Sequence, residues 1–323
     1  MKDGDPSWFA MVPDFLGAIP TVFFVISGFF MATLIDANSK HFMVMRLLRV
    51  YPMYFGAILV WVVLQVATHR TLRMDGLPRM LTLLPLGPGP GYKLGIEWTL
   101  VYEIWYYLVC ALFANRMLSR YYKHFLLAWL VFVLAFNLST GFASPTFPTM
   151  LNIWPSLWNI SFIAGGLLFH AVRERNFGFN KAVFIFTCLA CMLCYEFHVM
   201  GHGYLIPQAM EACLLVCLAI FLERYGASPK ILSMFGDYSY SLYLIHTSII
   251  LATFSVWSAT YKTKPGLAAG AISLGVVLVF AVFLGRADVS IHGRLRKKAG
   301  LLLAGLSGPR PPRLDKAAQQ QEV

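Results

Sequence analysis

The sequence predicts an all-α, polytopic transmembrane helical bundle, and three observations predict it. Of 323 residues, 58% are hydrophobic and only 13% are charged. A soluble domain carries about 25% charge, so this chain cannot cover a water-facing surface. Nine windows of about 17–22 residues are apolar enough to cross a hydrocarbon core of about 30 Å. Basic residues gather in alternate connections between those windows, as membrane orientation requires. With a mean hydropathy of +0.65, these features exclude a secreted enzyme, a cytosolic enzyme and a disordered scaffold. The net charge of +11 does not indicate nucleic acid. No basic stretch carries the interleaved aromatics or groove-reading elements such binding needs.

The predicted spans are 15–35, 51–68, 94–114, 124–140, 154–172, 182–199, 207–223, 238–257 and 267–285. Connections 36–50, 115–123, 173–181, 223–230 and 286–298 together carry +12, against +2 for the alternate set. The positive-inside rule therefore puts the first set in the cytoplasm, with the N-terminus outside and the C-terminus inside. Residues 1–14 read as an extracytoplasmic segment. They hold Asp3, Asp5 and Asp14 and lack the positive start of a signal peptide. Residues 15–298 form the membrane domain, and 299–323, with Pro309, Pro311 and Pro312, read as a disordered cytoplasmic tail. In the longest connection, Leu81 to Leu86 reads as an apolar dip into the outer interface, ended by the Pro/Gly run 87–91. No repeat of fixed period supports a two-half transporter.

All six cysteines lie in apolar spans, where a thiol acts as a small buried hydrophobe. Cys188, Cys191 and Cys194 spread around a helix, and His198 and His202 lack a nearby carboxylate. No metal site is therefore predicted. His246 is different. It lies about ten residues into its span, a depth at which an ionisable group is a functional candidate. A structural hydrogen bond to a neighbouring helix is the competing reading.

Four clusters put polar groups where lipid disfavours them. Ser27-Gly28 makes a small polar notch in mid-span, or an ordinary small-residue packing point. Arg46 and Arg49 share a helical face at an inner mouth. Two guanidinium forks there suit a pyrophosphate; positive-inside anchoring explains them equally. Glu103, flanked by Trp98, Tyr102, Trp105, Tyr106 and Tyr107, lies near mid-membrane. A lone buried carboxylate costs several kcal/mol, so it needs a cationic partner, a hydroxyl donor or a wet cavity. Asp237-Tyr238-Ser239-Tyr240-Ser241-Leu242-Tyr243 leads to His246 and fills one span with hydroxyls.

Taken in order, Phe23-Phe24-Val25-Ile26-Ser27-Gly28-Phe29, Arg46-x-x-Arg49-x-x-Pro52-x-Tyr54, Trp98-Thr99-Leu100-x-x-Glu103-x-x-Tyr106-Tyr107-Leu108 and Tyr238-Ser239-Tyr240-Ser241-Leu242-Tyr243-Leu244-x-His246 resemble the acyltransferase-3 family of integral-membrane acyltransferases. The resemblance covers about residues 15–298. Asp288, ahead of a basic stretch, resembles the acid of the family's closing element, without its proline. The resemblance implies transfer of an acyl group, usually acetyl, from cytoplasmic acyl-CoA to a glycan hydroxyl of the bacterial envelope or of an exported polysaccharide, at the inner membrane. Acetyl-CoA is then a co-substrate, and no cofactor is permanently bound. The implied partners are the lipid bilayer, the acyl-CoA and the glycan acceptor. Arg46 and Arg49 become contacts for CoA phosphates. Glu103 and the Trp98 region become the central site. Ser27, Gly28, Tyr107 and Tyr240 become cavity-lining residues.

The family opens with a helix carrying an Arg-Gly pair and a His taken as catalytic base, and this chain begins about where the second span should be. Nine spans with opposed ends match a ten-span protein without its first helix. A sugar hydroxyl must lose a proton as it attacks a thioester. Three readings follow: a start upstream of residue 1, a different base (His246 or Glu103), or an inactive chain. The alternative function is a non-catalytic paralogue or a glycan-export component.

Overall fold

In the computed structural model of the chain, residues 19–39, 41–68, 76–87, 92–141, 145, 147–173, 205–224, 230–263 and 265–306 are described. Their apolar windows become helices: α1 (Ile19–Asp36), α2 (Phe42–Ala67), α3 (Leu77–Thr82), α4 (Glu97–Phe113), α5 (Tyr122–Thr140), α6 (Trp158–Arg173), α7 (Leu205–Arg224), α8 (Lys230–Tyr261) and α9 (Leu267–Leu306). No strand occurs among the described residues, so the all-α bundle is as predicted. The predicted span 182–199, with Cys188, Cys191, Cys194 and His198, lies outside them, as do segment 1–14 and residues 307–323.

Four helical stretches are long and apolar enough to cross a bilayer: Phe42–Ala67, Ser119–Thr140, Tyr238–Tyr261 and Leu267–Ala299. Their outer faces carry large apolar side chains, with Leu59, Val131 and Phe283 each more than half exposed. An apolar surface that extensive is stable only against lipid. The shorter α4 packs against α1, α2 and α6 and buries ten of its 17 residues.

One aromatic column ties four helices together. Phe162 of α6 stacks on Phe24 of α1 at 4.3 Å and on Tyr106 of α4 at 4.5 Å. Tyr106 in turn stacks on Trp129 of α5, and its hydroxyl lies 2.6 Å from that of Tyr122. Paired hydroxyls satisfy polar groups that hydrocarbon would otherwise leave bare. The column forms because α1 and α6 nearly touch. A Cβ on Gly28 would lie 2.1 Å from the Phe162 carbonyl oxygen, and one on Gly165 would lie 2.0 Å from that of Val25. Only hydrogen fits at either crossing point.

Three predicted boundaries shift. Residues 36–50 were expected to form a connection, but α2 begins at Phe42 and carries Arg46 and Arg49 on its first turns. Residues 286–298 were likewise expected to form a loop, and 299 onward a tail; α9 instead runs unbroken to Leu306. Charge sums locate a membrane face, but Arg and Lys are good helix formers and end nothing. The connection near residue 80 is pinned to the bundle. The Tyr54 hydroxyl donates to the Met80 carbonyl at 2.6 Å and Tyr51 to that of Thr82 at 2.9 Å, clamping α3 onto α2 with Leu83 fully buried.

Candidate active site

Five helices bring polar groups to one place, most of them as a pair spaced for a single helical face. From α4 come Thr99, Glu103 and Tyr107. From α1 come Phe23 and Ser27; from α2, Arg46 and Arg49. From α8 come Tyr240 and Tyr243, and from α9, Asp288 and His292.

Glu103 is the centre. The Tyr107 hydroxyl, one turn on, donates to its Oε1. The guanidinium charges of Arg46 and Arg49 both bear on it. Tyr107 is the hydroxyl donor that the mid-membrane position demanded, and the two arginine charges offset that of the carboxylate. Glu103 is surrounded by protein yet half-buried rather than sealed, as is Tyr240. A side chain deep in a bundle keeps accessible surface only by lining an internal opening.

Below Glu103 sits an ion pair that sequence reasoning did not foresee. Arg49 Nη1 donates to Asp288 Oδ2 at 2.6 Å, with the Asp288 side chain only 3% exposed. The same guanidinium lies 5.0 Å over the Tyr240 ring. The Tyr240 hydroxyl donates to the Val50 carbonyl at 3.0 Å, so α2, α8 and α9 are locked together around Arg49. Arg46 Nε has no hydrogen-bond partner. Above Glu103, Tyr243 and Thr99 share a hydrogen bond at 2.6 Å, and Phe23 lies 5.3 Å from the Tyr243 ring.

The remaining predicted residues divide. Ser27 Oγ lies beside the Tyr107 hydroxyl and makes no hydrogen bond of normal geometry; it belongs to the site. Trp98 belongs to an aromatic cluster, 4.7 Å from Trp158 and 6.5 Å from Phe24. Gly28 is a correction. Its face is filled by the α6 backbone, so it sets helix spacing and lines no cavity. His246 lies about one turn beyond Tyr243 toward the opposite end. Its Nδ1 is 2.6 Å from the Tyr243 carbonyl and its ring 5.7 Å from that of Tyr243. The Glu103 charge reaches Tyr243, which therefore neighbours both groups expected to be catalytic.

Site and fold acquire a family context from one match. The acyltransferase domain model matches residues 7–286. The chain belongs to the acyltransferase-3 family. It is a membrane acyltransferase, and the Glu103 cluster is the polar centre of its bundle. No curated protein and no solved structure matches it. Within this acyltransferase, the closing acid implied by resemblance, Asp288, acquires a partner: it is the counter-ion of the second arginine in Arg46-x-x-Arg49.

Proposed function

We propose that this acyltransferase moves an acetyl or related acyl group from cytoplasmic acyl-CoA to a hydroxyl of an envelope or exported glycan. One observation carries the reading: Glu103, at a half-buried surface where five helices bring polar groups together, lies within the field of Arg46 and Arg49. Fixed cations beside a carboxylate in a low-dielectric bundle suit a reaction that handles an anionic donor and moves a proton.

The basic mouth takes the CoA phosphates, with Arg46 free to turn toward them. The thioester then reaches the level of Glu103. An acceptor hydroxyl entering from the opposite end attacks the thioester carbonyl. The C–O bond forms, the hydroxyl proton passes to Glu103, and the C–S bond breaks. The departing thiolate takes the proton back, so Glu103 returns to its starting form. Tyr107 holds the carboxylate in position throughout, and Tyr243 and His246 line the acceptor's approach.

Arg46→Ala in the purified full chain tests the donor side. CoA affinity should fall about tenfold, the worth of one charge-assisted contact. Unchanged affinity rejects the phosphate assignment. Arg49→Ala is the poorer probe, because it strands Asp288 without a counter-ion.

A further inference from the structure

His292 falls in stretch 286–298, which the charge pattern assigns to a connection. In the structure it lies on α9 one turn beyond Asp288, at the contact between α9 and α2. Pro52 lies inside α2 and has no N–H, so the Leu48 carbonyl four residues earlier loses its helical donor. The His292 ring lies against that carbonyl, and the charges of Arg46, Arg49 and Asp288 all bear on it. Its Nδ1 is buried and has no partner, and the same holds for Arg46 Nε. A buried polar group left unpaired costs about 1–3 kcal/mol. Two of them at one mouth, beside an arginine already fixed by an ion pair, are placed to hydrogen-bond an anion. Beyond it, Arg294, Arg296, Lys297 and Lys298 stand exposed on the same helix and draw anions toward the mouth.

We propose that His292 is a third phosphate-binding residue, which bridges the Leu48 carbonyl to a phosphate of the acyl donor alongside Arg46, while Asp288 keeps Arg49 in place. Once the ring takes up a proton with the incoming phosphate, it donates from both nitrogens and so serves both partners. This rests on the acyl-CoA reading above and adds the residue that senses the donor's phosphate.

The test is equilibrium binding to the full chain in phosphatidylcholine nanodiscs, with CoA and pantetheine, which lacks phosphate, as paired probes. His292→Ala and His292→Phe, the latter preserving ring volume without a donor, should each weaken CoA about tenfold. Neither should change pantetheine binding. Raising the pH from about 6 to 8.5 should weaken CoA binding to the wild type more than to His292→Phe, because only the wild type takes up a proton on an imidazole as the phosphate binds. The charged groups facing the ring are Arg46 and Arg49 from α2 and Asp288 from α9. Equal loss for both probes, or loss for neither, overturns the proposal. So does an effect confined to nanodiscs containing phosphatidylglycerol, which would give the donors to a lipid headgroup. CoA binding that follows these rules in a chain without acyl transfer would keep the phosphate site and reject the catalytic reading.

Discussion

Replacing Gly28 by alanine puts a methyl carbon 2.1 Å from the Phe162 carbonyl oxygen and 2.9 Å from its carbonyl carbon. Both are backbone atoms, so no rotamer change relieves the clash. Helices α1 and α6 must separate by more than an ångström, which opens the 4.3 Å stack of Phe24 on Phe162. Overpacking of this kind costs about 1–3 kcal/mol. Alanine's better helix propensity returns about 1 kcal/mol, leaving a net loss of up to about 2 kcal/mol. Gly56 is the control: it lies in α2 with nothing within 4 Å of its added Cβ, so Gly56→Ala collects the propensity gain alone. Thermal unfolding of the two variants in one detergent should put Gly28→Ala below the wild type and Gly56→Ala at or above it. A Gly28→Ala protein that melts as high as Gly56→Ala would show that the α1–α6 approach is not what Gly28 provides.

Three further outcomes follow from the same geometry. Glu103→Gln keeps the Tyr107 hydrogen bond and loses the proton acceptor; acyl transfer should fall at least about a hundredfold with little change in melting temperature, and full activity would remove the carboxylate from the chemistry. Asn159 donates to the Ile153 carbonyl at 2.6 Å and to that of Trp154 at 3.0 Å; Asn159→Ala should cost about 2–3 kcal/mol in thermal unfolding, and a wild-type melting curve would refute that accounting. Arg49→Ala should destabilise by about 3–5 kcal/mol through the stranded Asp288, and adding Asp288→Ala should recover much of it; a double mutant no better than the single would show that the ion pair is not the cause.

Much of the fold is legible because lipid imposes strong rules on sequence. Apolar runs declare α1, α2, α5 and α8, and a carboxylate inside such a run announces that Glu103 is special. The Thr99, Glu103, Tyr107 face is also readable, since spacings of four residues on a helix share a side. The Arg49–Asp288 pair is not: 239 positions separate the partners, and nothing local fixes how α9 is rotated against α2. Asp288 differs from a solvated loop residue only once the helix is known to continue past it. The ambiguity of Gly28 has the same origin. A small residue permits either a cavity or a close helix crossing, and only the facing Gly165 and Phe162 decide between them. Position along its span singles out His246, yet that position does not tell which neighbours a side chain meets. Its contact with Tyr243 could have been suspected from the place of Tyr243 one turn earlier on the same face.

The most direct test of the account is transfer of radiolabel from acetyl-CoA to glycan by the purified chain in nanodiscs, run beside Glu103→Gln. The account predicts labelled ester on glycan hydroxyls with the wild type and at most about a hundredth of that with the variant. Labelling that is equal in the two proteins, or label found only on hydrolysed acetate with well-folded protein and competent glycan present, would contradict it.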